Sequence, residues 1–583
     1  MLPGHCVERS LAGRSFSPRL RDGNRGRERA RPAPPPDGPA TGPRASSNGA
    51  TSCLALNTAP PAARVADLLL AIDCGTQSVR ALLFDAAGTL AAKAQVPLDG
   101  YRTPEPGWVE HDAEAFWTAT AQACRQLWRE RPELRDAVRS VAVTSQRGTV
   151  MPIGAGGSAL APAITWLDPR RAGRVPALHP LWRVAFRVAG VAATVRYFQR
   201  EAEINWWAEQ RPAMWAEVDK VLLVSGLLNW KLTGRFVDSV GAQVGYLPFD
   251  FKRHRWAGAR DWKWQALAIR REQLPELRPV GSILGEVSAE AAAATGIPRG
   301  LPVVAAAADK ACEALGSGCI EAHVGALSYG STATIAMCTR RYVEPLAFVP
   351  PYPAALPGHY ACEVQIYRGY WMVRWFKEQF GDREALAAGA AGVTPEALFD
   401  DLVAAVPPGA MGLMLQPYWA PGLRHPGLDA KGAIVGFGSV HTRAHVYRAI
   451  LEGLAYGLRD GRERIERKTG TRLTEVRVSG GGAQSDAALQ ITADIFGLPA
   501  SRPHTHETSG LGAAICSAVA LGLHPDFATA VSRMTRSART FEPVRAQAEL
   551  YDQLYRQVYR RMYSQLAPLY ASLRRITGYP PPD

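Results

Sequence analysis

Leu68–Asp85 reads LLLAIDCGTQSVRALLFD: an apolar run, an acid at Asp73, a glycine with small polar residues, and a second apolar run. Two buried strands joined by a tight turn account for the apolar runs but not for Asp73. An isolated buried carboxylate is expensive unless something pairs with it, so a cation, or a ligand carrying one, belongs at this strand tip. Gly75 allows a close backbone approach, and Thr76, Gln77 and Ser78 offer N–H and hydroxyl donors. The residues AAKAQVPL extend the pattern to a third strand after an Asp85–Gly88 turn. HDAEAFWTATAQACRQLWRE follows as a helix with Phe116, Ala119, Ala123 and Leu127 on one face and Asp112 near its start, and VRSVAVTSQ is a further buried strand. Three antiparallel strands, then helix, strand and helix, predict a ribonuclease-H-like α/β unit.

The pattern recurs. GLPVVAAAADKACEALGSG is a strand ending in an acid, Asp309, which read alone is equally a helix cap for KACEAL. GALSYGSTATIAMCT repeats the apolar run, small polar turn and apolar run of the first block, and so opens a second unit. A third glycine turn, SGGGAQS at Ser479–Ser485, joins a strand to a helix. Each turn taken singly can be only a turn, and none is a P-loop, since GxxxxGK[ST] does not occur. Tyr551, Tyr555, Tyr559 and Tyr563 recur at four-residue spacing in the last long stretch and are read as a packing face.

At 583 residues the chain is too long for one core. Apolar and charged contents of 47% and 21% are those of an ordinary globular protein. No run approaches the roughly 18 apolar residues of a membrane span. The nine cysteines show no CxxC pair, which points to reduced thiols and a cytoplasmic setting. The net charge of +14 is drawn in good part from an Arg-, Pro-, Gly- and Ser-rich segment before residue 67. That arm is expected to be disordered and dispensable. Phe16 is the lone aromatic residue there, with no interleaved series for base stacking, which argues against a nucleic-acid partner.

Several stretches resemble the FGGY family of carbohydrate kinases, which includes glycerol kinase and xylulokinase. They are AIDCGTQSVRALLFD, PEPGWVEHDAEAFW, VTSQRGTV, APAITWLDPRR, AAADKACEALGSG, YGSTATI, GAIVGFGSVHTRAHVYRAILEGLAYGLRD and VSGGGAQSDAALQITADIFGLP, in family order. The resemblance implies two ribonuclease-H-like domains of the actin and sugar-kinase superfamily, over residues 67–318 and 319–583, with an interdomain cleft that closes on ATP and a sugar or polyol. A disordered arm, 1–66, precedes them. It implies Mg²⁺ linked to Asp73. A first phosphate turn at Gly75, Thr76, Gln77 and Ser78, with Arg80 beside it, and a second at Gly330, Ser331 and Thr332 follow from the same match. An adenosine site falls at Gly481, Gly482, Ala483 and Ser485.

By the same resemblance Asp309 is the base, and Gln146, Arg147, Trp166, Asp168 and Lys310 join it at the sugar. Trp166 as a plain core residue stays open. Gly148 stands where glycerol kinase has an acid beside its arginine, which argues against glycerol and leaves room for a ketose or polyol of five or six carbons. Lys310 should lower the pKa of Asp309, and it faces either a substrate oxygen or solvent. The partner is therefore a small sugar or polyol, with no membrane contact, and a homodimer is left open. A non-transferring ATPase and a sugar-sensing pseudokinase on the same fold are the alternatives.

Overall fold

The structure is a computed structural model and describes residues 67–346, 348–391, 395–420, 422 and 426–579. The expected disordered arm lies outside the described residues. The opening hairpin forms as its pattern predicts: β1 (Leu68–Cys74) and β2 (Ser78–Asp85) pair antiparallel, and β3 (Leu90–Pro97) continues the meander. Helix α1 (Ala113–Glu130) begins at Asp112, whose carboxylate accepts the Glu114 N–H at 3.0 Å. Strand β4 (Val138–Ser145) then returns parallel to β1. With β5 (Ile283–Glu286) and β6 (Pro302–Val304) the first sheet runs β5-β6-β4-β1-β2-β3. Near-continuous burial of β1 reflects cover on both faces.

After helix α2 (Asp309–Gly316) the same order is rebuilt. The hairpin β7 (Val324–Tyr329) and β8 (Ala333–Thr339) is followed by β9 (Tyr352–Pro353) and β10 (Tyr360–Ile366). Helix α3 (Arg443–Thr469) precedes β11 (Glu475–Ser479), α4 (Asp486–Phe496) and β12 (Ala500–Pro503). Helix α5 (Thr508–Ala520) and β13 (Ser537–Phe541) complete the second sheet, β9-β10-β8-β7-β11-β12-β13. In both sheets a meander of three antiparallel strands leads into parallel strands, so the fold is a doubled ribonuclease-H-like α/β architecture.

One helix crosses the boundary read from sequence. Although α5 lies in the C-terminal half, its Leu511, Ala514, Ile515 and Ala518 pack with Leu69, Ala71, Leu82 and Phe84 of the first sheet. It also lies tightly on α2: a Cβ at Gly512 would stand 2.0 Å from the Cys312 carbonyl oxygen. The helix that starts at Asp309 is therefore wedged against an element from the far end of the chain.

The tyrosine stripe packs as its spacing predicts, with Tyr551, Tyr555 and Tyr559 in the second core. A π-helical turn at Tyr555–Tyr559 widens the helix, so that side chains four apart stay on one face. Beneath them lies a buried ion pair. Arg448 donates to Glu452 at 2.7 Å, to Tyr551 at 2.8 Å and to the Val403 and Val406 carbonyls at 3.0 and 2.8 Å. Replacing Arg448 by Met strands the Glu452 carboxylate, so Arg448→Met should lose about 3–5 kcal/mol in urea unfolding. A change below about 1 kcal/mol would mean that the pair contributes no more than an exposed one. Among the described residues no helix is long and apolar enough to cross a membrane, and the cysteines are free thiols.

Candidate active site

In a doubled α/β sheet, ligands gather outside the carboxyl ends of the parallel strands. Asp73 is the penultimate residue of β1, Gln146 and Arg147 follow β4, and Asp309 follows β6 after a run of alanines. Asp73 is buried and finds the cation that its position demands. Cross-strand register sets Arg80 opposite it, and Arg80 donates to its Oδ2 at 2.9 Å. Arg80 also lies 3.5 Å from Glu507, so its charge is spent within the protein rather than on a phosphate as expected. Burial lifts the Asp73 carboxyl to about 6, against the pull of Arg80 and with help from the charges of Asp309 and Glu507. The charge of Asp309 is thus near enough to raise the Asp73 carboxyl.

The turn after β1 is closed by the Gly75 N–H donating to the Ser78 carbonyl at 3.0 Å. Gln77 is exposed and Gly75 and Thr76 are half-buried, whereas the Ser78 hydroxyl points into the sheet and accepts from Gln95 at 3.0 Å. Thr76 Oγ1 donates to Gln146 Oε1 at 3.2 Å and accepts from Trp166 Nε1 at 3.1 Å. Tyr101 donates to the Thr76 carbonyl. Trp166 is therefore hydrogen-bonded to the turn and half-exposed, not a plain core residue. Gln146 is 4% exposed, and its Nε2 has no protein partner. A buried amide donor left in this state at a strand tip is suited to a ligand oxygen.

Arg147 is the centre of the floor. Both its terminal nitrogens donate to Glu363 of β10, at 3.2 and 3.0 Å, and its Nε lies 3.8 Å from Asp309. The Tyr352 ring lies 5.1 Å from the guanidinium carbon. Burial opposes the charge, but Glu363 and then Asp309 hold Arg147 more firmly protonated than usual. Arg147 thus takes its acidic partner from the second sheet. Gly148 itself has φ +66°, which favours glycine, and a Cβ there would touch the Trp166 Cβ at 3.4 Å. Gly148 therefore serves the turn, with the Trp166 Cβ as the one neighbour that a Cβ there would meet within 4 Å.

Asp168 does not reach a ligand. Its side chain is fully buried and accepts from the Val109 N–H at 2.6 Å and from Arg170 at 2.8 and 2.6 Å. Its part is to fix the segment that carries Trp166. Asp309 is the first residue of α2, and Ala308 occupies the cap position, so the helix-cap alternative does not hold. Its Oδ1 accepts the Lys310 N–H at 2.7 Å. Burial raises the Asp309 pKa, with Lys310 and then Arg147 opposing, and burial wins. The expectation that Lys310 depresses this carboxyl is corrected: its pull is present and outweighed. The Lys310 side chain is mostly buried, and its Nζ donates to Glu313 at 2.8 Å and Ser328 at 2.5 Å.

In the second lobe the turn between β7 and β8 presents Gly330 and Ser331, with Thr332 buried behind them. The Gly330 N–H donates to the Thr332 carbonyl at 3.0 Å. In the third turn, Gly481 has open space around it, whereas a Cβ at Gly482 would meet the Tyr370 ring at 2.3 Å. Ala483 belongs to the core, and Ser485 caps α4 and donates to Asp400 at 2.5 Å. The side chains of Ala483 and Ser485 are committed to the fold, and the open backbone at Gly481 is what they leave to a ligand. Among the described residues no cluster of three metal-ligating side chains occurs. Asp73 still fits a magnesium ion carried on phosphates: it is a desolvated carboxylate, and no protein donor among the described residues reaches its Oδ1.

Two family models cover this architecture: the N-terminal domain of the FGGY family of carbohydrate kinases matches residues 68–316, and its C-terminal domain matches 325–521. The chain belongs to the FGGY family of carbohydrate kinases. The uncharacterized sugar kinase YgcE of Escherichia coli is 30% identical over 487 residues, covering 83% of this chain and 91% of that protein. The xylulose kinase of Rhodospirillum rubrum has a similar structure, with TM-score 0.70, 27% identity, and coverage of 86% of this chain and all of that one. A Plasmodium falciparum glycerol kinase solved with ADP shares the fold, with TM-score 0.66, 19% identity, and coverage of 85% of this chain and 98% of that one. This FGGY kinase is accordingly an ATP-dependent sugar kinase, and its two sheets are the two halves of the family fold.

Sequence reasoning missed Glu363, Tyr352, Glu313 and Ser328. The one available signal was Glu363 as the lone charge in the strand YACEVQI.

Proposed function

We propose that this kinase transfers the terminal phosphoryl group of ATP to a hydroxyl of an uncharged ketose or polyol of five or six carbons. Asp309 acts as the base. The observation that carries this reading is the placement of a desolvated Asp309 beside Arg147, near enough to Asp73 for its charge to raise that carboxyl. A raised pKa makes Asp309 a better proton acceptor than an exposed aspartate. Gln146 Nε2 is the donor for a substrate hydroxyl, and the half-exposed Trp166 ring offers an apolar face to a carbon chain. An uncharged acceptor is favoured because Arg147 is already compensated by Glu363 and Asp309, so no spare charge awaits a sugar acid. The similar xylulose kinase of Rhodospirillum rubrum supports the ketose or polyol class.

Phosphoryl transfer demands positioning and charge neutralisation more than covalent help. The hydroxyl oxygen attacks the terminal phosphorus as the bond from phosphorus to the ADP oxygen breaks, and Asp309 takes the hydroxyl proton. Asp73 would hold magnesium, which neutralises charge on the phosphate oxygens. The backbone N–H groups of Thr76 and Gln77 in the first turn and of Ser331 in the second cradle the phosphates, and the open backbone at Gly481 is suited to the adenosine. A coupled ADP-release assay across ketoses, aldoses, polyols and sugar acids tests the reading. At least one ketose or polyol of this size should raise ADP release well above the sugar-free rate. Turnover with sugar acids alone would overturn the uncharged class, and no stimulation by any acceptor would overturn the transfer reading.

A further inference from the structure

Lys310 and Glu313 form a buried pair that the sugar pocket does not use. The Lys310 side chain is 18% exposed and that of Glu313 7%, with 2.8 Å between their charged atoms. Glu313 does more than balance the lysine. Its Oε1 accepts from Ser328 Oγ at 2.8 Å and from Ser479 Oγ at 2.8 Å. Ser328 lies next to the end of β7, just before the Gly330 turn, and Ser479 ends β11, just before the Gly480–Gly482 turn. One carboxylate on the Asp309 helix therefore pins the two strands that lead into the second and third turns. An ammonium group has three donors. Two are taken by Glu313 and Ser328, and a Cβ built at Gly330 would lie 3.6 Å from Lys310 Nζ. Nζ thus stands beside the glycine turn, and Lys310 is adjacent in sequence to Asp309.

The geometry points to Lys310 as a catalytic residue on the phosphate side of the reaction, contacting the terminal phosphoryl group of the nucleotide held on the Gly330 turn. The inference rests on the ATP-dependent transfer reading above and gives that site a further charged contact. Lys310 keeps its proton throughout. Its free N–H follows an equatorial oxygen of the phosphoryl group as the bond to the sugar oxygen forms and the bond to ADP breaks. Glu313 holds Nζ at the turn, so the lysine is positioned before the nucleotide arrives.

The test compares two nucleotides that differ by the terminal phosphate, ADP and the non-hydrolysable AMP-PNP, by calorimetry with Mg²⁺ on the full chain. In Lys310→Gln, AMP-PNP should bind about 10- to 100-fold more weakly, the value of one charge-assisted hydrogen bond. ADP affinity should stay within about twofold. With an accepted sugar, kcat should fall about 10²-fold, with little change in the KM for the sugar. Equal weakening of both nucleotides would overturn the inference in favour of a purely structural pair. A raised sugar KM with unchanged kcat would overturn it in favour of a sugar contact. Should Lys310→Gln fail to fold with Glu313 left unpaired, the double variant Lys310→Gln/Glu313→Gln neutralises both partners, and the same comparison of nucleotides decides. Wild-type protein that binds neither nucleotide would instead count against the ATP reading itself.

Discussion

Asp309→Asn is expected to lower kcat by roughly 10³-fold, the loss that follows removal of a positioned general base. Asparagine has the same shape, and its amide oxygen can still accept the Lys310 N–H that Asp309 Oδ1 accepts at 2.7 Å, so the start of α2 should hold. Arg147 loses one of its two anionic neighbours but keeps both bonds to Glu363. Binding of ADP should therefore be almost unchanged, and the lost activity should appear in kcat rather than in nucleotide affinity. Wild-type turnover in this variant would remove Asp309 from the mechanism. A collapse of ADP binding would mean that the substitution damaged the cleft instead.

Asp73→Asn should produce the next largest loss, roughly 10²-fold in kcat, as expected when a clamp on the transferring phosphoryl group is removed. The asparagine oxygen can still accept from Arg80, so melting temperature should change little. The magnesium concentration needed for half-maximal rate should rise, and an unchanged magnesium dependence would separate Asp73 from the metal. The pH dependence carries its own sign. Asp73 titrates near 6 in the folded protein against an ordinary 3.8. The folded state therefore binds the proton more tightly than the unfolded chain. The stability this group contributes is present below about 3.8 and is lost as pH rises through about 6. Magnesium–nucleotide affinity should move the opposite way, growing as pH rises through the same window, because the ion needs the deprotonated carboxylate. In Asp73→Asn both slopes should flatten.

Asp73 could be read from sequence because local chemistry alone made it anomalous: an acid at the tip of a fully apolar strand has few bland explanations. The doubled sheet was legible for a similar reason, since the apolar run, small turn and apolar run occur at both Leu68 and Val324. The site's remaining logic is tertiary. Asp168 looks like a pocket acid until Arg170 and the Val109 N–H take up its oxygens. Ser485 looks like a nucleotide donor until Asp400 comes within 2.5 Å. Lys310, on helix α2, could not be oriented without Ser328, which lies on a strand of the second sheet. Glu363 carries no motif at all, and only the approach of β10 to the end of β4 makes it the partner of Arg147. The alanine-rich α5 reads as a generic buried helix, and nothing in its sequence says which sheet it covers.

The bond between Arg147 and Glu363 has a consequence for how a finished product leaves. One residue follows a strand of the first sheet and the other lies within a strand of the second, so widening the gap between the sheets draws them apart. A release step that parted the two sheets would have to break both charged contacts, and would take part of its barrier from this pair.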